Sequence, residues 1–237
     1  INTHAHQDHC GGNFYFKKLN PDLHIYAAQD EVVHIESPYA APRCFCGGAW
    51  PYKGLLNKLI TPQHPTEVTH PITSFIDQSI SIDDHELKIV TLPGHTPGSI
   101  GVITPDNILY SGDAFFGQET LEKHPVLLYT NIEDTLRTYA KLKALRVDAC
   151  VLYHGGLVHD IASLLDNHEK RISEIISVIL DYVQHQSQSV DAITQQIMNV
   201  YAIPNSVIAF VLTQTTVRAY LSYLEAQQKI NIIVEDG

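Results

Sequence analysis

The residues that most restrict this chain are crowded at its start. In Thr3-His4-Ala5-His6-Gln7-Asp8-His9-Cys10-Gly11-Gly12, three imidazoles and a carboxylate share one short turn. Packed together without a cation, they would leave ring nitrogens competing for too few partners, whereas a divalent ion satisfies them all. A solvated histidine-rich loop is the plainer alternative. Later segments argue against it by supplying further ligand-type residues. These are His95 in Leu92-Pro93-Gly94-His95-Thr96-Pro97-Gly98-Ser99, Asp113 in Tyr110-Ser111-Gly112-Asp113, and His154 in Val151-Leu152-Tyr153-His154-Gly155-Gly156. Each follows an apolar run that predicts a buried strand: Ile89 to Leu92, Ile108 to Tyr110, and Cys150 to Tyr153. Ligands at the ends of adjacent strands would converge on one sheet edge, and the glycines beside them let the loops bend tightly.

The His-x-His-x-Asp-His box, the Gly-His-Thr-Pro-Gly-Ser segment, the Ser-Gly-Asp segment and the last His-Gly together make this chain resemble the metallo-β-lactamase superfamily. The resemblance implies an α/β fold, an αββα sandwich around a dinuclear site. Carried over residue by residue, it assigns His4, His6 and His95 to a first metal and Asp8, His9 and His154 to a second, with Asp113 bridging them. Family members carry a block of strands before the box, while this sequence opens at Ile1. The expectation is therefore an N-terminally truncated sandwich whose exposed sheet edge invites pairing with a second copy, a homodimer. Antibiotic-hydrolysing branches usually hold Cys or Ser at the place of Asp113, so the resemblance disfavours β-lactamase activity. Retention of both His9 and His154 favours two-metal hydrolysis over oxygen or electron chemistry.

Imidazole and carboxylate donors without thiolate suit zinc, and also iron or manganese; zinc is the expected metal. Two neighbouring cations would lower the pKa of a shared water from about 16 towards neutrality, giving a metal-bound hydroxide nucleophile without Ser or Cys. Asp8 would also accept a hydrogen bond from that hydroxide and aim it, which makes Asp8 and Asp113 the candidate catalytic residues. The expected activity is hydrolysis of a small ester, thioester, lactone or phosphodiester. The alternatives are a non-enzymatic binding or regulatory module with a structural metal, and a nuclease of the same superfamily.

With 237 residues, 44% of them apolar and 17% charged, the chain can bury one substantial core plus a small appended module. No apolar run is long enough to span a bilayer. Cys10, Cys44, Cys46 and Cys150 form no disulfide framework, so a reducing cytoplasm is expected. Cys44 and Cys46 could bind metal or form a strained disulfide; Cys10 reads as a small buried filler.

The pattern divides at residue 158. In residues 1–158, the catalytic part, a helix is expected over Gly11 to Leu19, a strand over Leu23 to Ala28 and a helix over Gln29 to Ile35. Ser37 to Pro71 reads as an irregular excursion, either a lid over the site or a surface loop packed on its own aromatics. Ile80 to Ile82 and Leu87 to Leu92 pair around an Asp83-Asp84-His85-Glu86 turn, which makes His85 a turn residue and not a ligand. Ser99 to Thr104 pairs with Ile108 to Tyr110, and Leu136, Tyr139, Leu142 and Leu145 mark a helix over Glu133 to Leu145. Residues 159–237 predict helices over Asp160 to Gln184, from Ser189 through Tyr201, and from Asn205 through Gln228, then a strand over Lys229 to Val234. His168-Glu169-Lys170-Arg171 and Leu221-Ser222-Tyr223-Leu224 make this tail similar to the winged-helix-like tail of the lactamase-beta-like branch.

Charge argues against nucleic acid as a partner. Over 159–237, Lys170, Arg171, Arg218 and Lys229 face nine acidic residues, and the formal net charge of the whole chain is −11. Phosphate-tracking modules need clustered Lys and Arg. A small-molecule substrate is expected instead, with the tail acting as a wall of the site.

Overall fold

The computed structural model describes residues 1–37, 39–56 and 64–234. A two-stranded sheet pairs β1 (Tyr26–Ala28) in parallel with β2 (His70–Ile72). A six-stranded sheet runs in simple order through β3 (Gln78–Ile82), β4 (His85–Thr91), β5 (Ile100–Ile103), β6 (Ile108–Tyr110), β7 (Ala149–Leu152) and β8 (Gly156–Val158). Helices α1 (Gln7–Cys10), α2 (Asn13–Leu19), α3 (Val32–Glu36) and α4 (Ala40–Phe45) belong to the first part of the chain. They are followed by α5 (Gln118–Lys123), α6 (Ile132–Ala144), α7 (Ile161–Val183), α8 (Val190–Val200) and α9 (Val207–Ala226). Helices and sheets combine into the mixed α/β architecture expected from the resemblance.

The direction of the strands explains where the ligand loops go. β5 is antiparallel to both β4 and β6, and β6 is parallel to β7, so β4, β6 and β7 all point the same way. Their C-terminal ends share one edge, and the segments holding His95, Asp113 and His154 leave from that edge. The opening residues reach it between the two sheets: Asn2 N–H donates to Tyr26 O at 2.8 Å, and Ile100 N–H donates to Thr3 O at 2.9 Å.

Several local expectations are corrected. The hairpin between β3 and β4 is tighter than a four-residue turn, because Asp83 takes the left-handed conformation, φ 52°, that lets two residues reverse the chain. His85 therefore opens β4, paired with Ile82. The strand expected over Leu23 to Ala28 is confined to Tyr26–Ala28. The excursion after Ser37 contains α4, a short 3₁₀ turn over Lys53–Leu55 and the start of β2; residues 38 and 57–63 of it lie outside the described residues. The strand expected over Lys229 to Val234 is not formed, so the tail is three helices without the wing's strand among the described residues. Its Ile232, Ile233 and Val234 are exposed and pair with no strand among the described residues. The caps are local and mostly legible: Asp160 accepts from Ser163 N–H and Ser189 from Ala192 N–H, while Ser206 rather than Asn205 caps α9 by accepting from Ala209 N–H.

One apolar cluster joins β4, β6 and β7 to α6 and to the inner faces of α7, α8 and α9. Tyr139, Tyr220, Phe115, Leu109 and Leu165 are fully enclosed in it. The C-terminal helices thus pack into the same core as the sheet that carries the ligand loops. The described part of the 39–56 segment packs on α9, where Leu55 and Val211 are buried against each other and Phe45 and Phe210 flank them.

Candidate metal centre

His6 caps the start of α1, its carbonyl accepting from the N–H groups of His9 and Cys10. This turn projects His4, His6, Asp8 and His9 towards the sheet edge. The structure groups the ligand-type side chains in two sets, His4, His6, His95 and Asp113 in one, Asp8, His9 and His154 in the other; within each set the donor atoms lie within 4.8 Å of one another.

In the first set, His6 Nδ1 stands 2.9 Å from both His4 Nε2 and His95 Nε2. Asp113 Oδ2 lies 3.9 Å from His4 Nε2 and 3.6 Å from His95 Nε2. Zinc–nitrogen bonds place tetrahedral ligands about 3.4 Å apart, and these separations bracket that edge. In the second set, Asp8 Oδ2 is 3.1 Å from His154 Nε2 and 3.6 Å from His9 Nε2. Asp113 faces this set too, with Oδ1 3.3 Å from His9 Nε2 and Oδ2 3.7 Å from His154 Nε2.

The donor set fits a cation better than it fits itself. A ring nitrogen has one in-plane position, so His6 Nδ1 cannot form good hydrogen bonds with two imidazole nitrogens at once. Moreover, His9 Nε2 and Asp113 Oδ1 are both buried without a hydrogen-bond partner. Unpartnered buried polar atoms are costly, and divalent ions would remove that cost.

Burial, reinforced by the neighbouring His95, lowers the His6 pKa to about 3, and burial holds His4 and His95 below the ordinary histidine range. These rings are thus neutral across the physiological range, the state that metal ligation requires. Burial pushes the Asp113 carboxyl up, but the close approach of His9 and the imidazoles of His95 and His154 outweigh it, so the group sits below the usual carboxylate range. Cys10 belongs to neither set: burial raises its thiol to about 12, and the S–H donates to Ala5 O. His85, Cys44 and Cys46 belong to no metal-capable cluster among the described residues, and both cysteines are free.

The candidate ligands are held from behind. His95 Nδ1–H donates to Leu128 O at 2.8 Å, which leaves Nε2 as the lone-pair donor. That carbonyl is itself fixed by α9: Thr216 donates to Leu127 O and accepts from Tyr129 N–H, each at 3.1 Å. The Thr3 hydroxyl lies 3.3 Å from His4 Nδ1 and 3.4 Å from His9 Nδ1, poised to orient both rings. Gly112 has a left-handed φ of 55°, and a Cβ there would come 2.5 Å from Thr3 Oγ1; only glycine leaves that hydroxyl its place. Tyr153 donates to Asp8 O at 2.9 Å and lays its ring against His9.

Glu31 is the residue that sequence reasoning missed. Its buried carboxylate accepts from Ala5 N–H at 2.8 Å through Oε2, and from Thr96 Oγ1–H at 2.7 Å and Gly98 N–H at 3.0 Å through Oε1. Ala5 lies between His4 and His6, and Thr96 follows His95, so one side chain registers two ligand loops. An acid in an ordinary helical pattern carries no signal of this in sequence.

The His168–Arg171 pattern supports the cavity beside the centre. His168 Nε2–H donates to Phe116 O at 2.9 Å, and Tyr139 Oη–H, 3.4 Å from His168 Nδ1, completes a buried chain with Tyr129. Arg171 donates to Pro125 O and lies over the Tyr201 ring. Burial holds His168 below the ordinary histidine pKa of 6.5. The folded state therefore disfavours its protonation, so its stabilising contribution is present above pH 6.5 and lost as pH falls below it. His4, His6 and His95 act in the same direction, and comparison with a variant isolates His168. In urea unfolding of the metal-free protein between pH 7 and 5, His168→Gln is expected to flatten the acid-side slope, by at most about 1.4 kcal/mol per pH unit. An unchanged slope would show that His168 already titrates normally.

A cavity of about 840 Å³ opens beside the centre, lined by His95, Asp113 and His154 on one side and by residues of the α8–α9 connection and of α9 on the other. No described residue of the 39–56 segment lines it, so that segment's described part backs α9 and does not cover the centre. No helix among the described residues is long and apolar enough to cross a membrane.

Residues 1–154 match the family model described as metallo-beta-lactamase superfamily. A metallo-beta-lactamase family protein from Thermus thermophilus is similar in fold, with a TM-score of 0.68 at 18% identity, covering 95% of this chain and 73% of that one. A beta-lactamase domain protein from Burkholderia ambifaria gives a TM-score of 0.69 at 14% identity, over 95% of this chain and 67% of that one. An archaeal metallo-beta-lactamase superfamily protein from Sulfolobus tokodaii gives 0.54 at 13%, over 93% and 78%. At such identities the likeness concerns the fold, and its coverage extends past residue 154 into the helical tail.

Proposed function

The chain belongs to the metallo-beta-lactamase superfamily, which makes it a metal-dependent hydrolase in general terms, and we propose that it is a dinuclear one. In this reading His4, His6 and His95 hold one divalent ion, Asp8, His9 and His154 a second, and Asp113 bridges them. Zinc suits the donors, as do iron and manganese. When bound, the ions supply a water of lowered pKa as nucleophile and Lewis-acid stabilisation of the developing oxyanion.

The observation that carries the reading is the pair of buried, unpartnered atoms His9 Nε2 and Asp113 Oδ1, which face each other across 3.3 Å between the two sets. The chain's own residues supply the rest. Asp8, on the solvent side of the site, offers a carboxylate oxygen to take a proton from the attacking water and orient it. His95, held by Leu128 O, keeps its tautomer through the cycle. Phe116 stacks on the His154 ring and helps to orient it. The substrate in this reading is a small ester, thioester, lactone or phosphodiester. The four free cysteines suit a reducing compartment such as the cytoplasm.

Metal analysis of protein loaded separately with zinc, iron and manganese, followed by a hydrolysis panel of those four substrate classes, tests the proposal. Two ions per chain with turnover of at least one class is expected. A folded chain that retains one ion or none and turns over nothing would overturn it and favour a structural metal.

A further inference from the structure

The hydrolase reading leaves the substrate's non-reacting part open, and the cavity beside the centre bears on it. Beyond the ligands its walls are mostly apolar: Phe116, Val126 and Leu128 on one side, and Ile203, Ile208 and Leu212 from the α8–α9 connection and α9 on the other. The last five are neither enclosed in the core nor fully exposed, so each leaves apolar surface in the cavity. Among the described residues Lys123 is the single Lys or Arg lining it, and Glu119 lines it too, so away from the centre the described lining brings no net positive charge for a phosphate. A volume of about 840 Å³ takes a ligand of drug-like size.

α9 explains itself through this cavity. Its first six residues, Val207 to Leu212, are apolar all round because three environments surround them. Val211 packs on Leu55, Val207 and Phe210 line a second cavity on the far face, and Ile208 and Leu212 border the catalytic one. An amphipathic helix would have placed polar groups on that last face.

We propose, resting on the hydrolase reading, that the substrate is an ester or thioester with an apolar acyl chain, seated between the Val126–Leu128 segment and α9, with Ile208 and Leu212 setting the accepted chain length. The open side of the centre carries Asp8 and His154, whose side chains are 47% and 39% exposed, whereas His95 is buried. Water adds to the acyl carbon as the C–O or C–S bond breaks; Asp8 passes the proton it took from that water to the departing alcohol or thiol, which leaves on that open side, and the acid formed from the acyl group occupies the cavity.

The test uses the metal-loaded full chain, p-nitrophenyl esters and N-acetylcysteamine thioesters from acetyl to dodecanoyl, and bis-p-nitrophenyl phosphate. kcat/KM is expected to rise about fourfold for each methylene that enters the cavity, then level off. Leu212→Trp is expected to bring the plateau to shorter chains, lowering the decanoyl-to-acetyl ratio of kcat/KM at least tenfold. A parallel calorimetric titration with decanoate and acetate reads the cavity without turnover: decanoate should bind at least tenfold tighter, and Leu212→Trp should remove the difference. A flat chain-length profile, a dependence on the alcohol and not the acyl group, or faster hydrolysis of the phosphodiester would overturn the acyl assignment and leave the hydrolase standing. Absence of all turnover with selective decanoate binding retained would overturn the hydrolase and uphold the apolar cavity; absence of both would overturn the two together.

Discussion

Asp113→Asn is expected to remove most of the metal from this chain and to lower hydrolysis by on the order of a thousandfold or more, the scale of several kcal/mol of lost charge stabilisation. The reason is geometric. Its two oxygens lie within 3.9 Å of four imidazole nitrogens, those of His4, His9, His95 and His154, so this one carboxylate faces both donor sets. Asparagine keeps the shape but loses the charge and replaces one lone-pair oxygen with an amide nitrogen that can only donate. Metal content by mass spectrometry and turnover of the best substrate in the panel are the measurements, with circular dichroism confirming that the fold is kept. A variant holding two ions with undiminished activity would refute the bridging role.

The second large effect is expected at Glu31. The carboxylate faces donors on both oxygens: Ala5 N–H on one, Thr96 Oγ1–H and Gly98 N–H on the other. Glu31→Gln can satisfy one side only, because its amide nitrogen must point at another N–H. An unsatisfied buried donor costs about 1–3 kcal/mol, and this should appear as a lower midpoint in thermal unfolding of the metal-free protein. The same change loosens the spacing of His4 and His6 against His95, so metal affinity measured by chelator competition should fall by about 10- to 100-fold. A variant that unfolds as the wild type does and binds metal equally well would show that the two loops are registered by something else.

The contrast between these two acids shows what a sequence can disclose. Asp113 was legible because it sits in a short Ser-Gly-Asp segment after an apolar strand, one of four segments in a recognisable order. Glu31 was not, because its partners lie 26, 65 and 67 positions away and nothing in Gln29-Asp30-Glu31 marks it among 26 acidic residues. The same holds for Thr216, which reaches the His95 support from 87 residues away. The His168–Arg171 pattern was visible as a likeness, but its task, fixing Phe116 and Pro125 around the cavity, was not. The hairpin before β4 was misjudged by two residues because aspartate in the left-handed region is a choice made by the turn, not announced by composition.

By itself, the sequence determined the donor chemistry, the periodic helices and the strand runs, because these depend on residue type and on spacing within a few turns. The tertiary structure alone decided that β4, β6 and β7 end on one edge, that Glu31 and Thr216 hold the ligand loops, and that Ile208 and Leu212 face the centre. Those outcomes rest on strand direction and on contacts between distant segments, whose energies are set by which surfaces meet, and local pattern does not encode which surfaces those are.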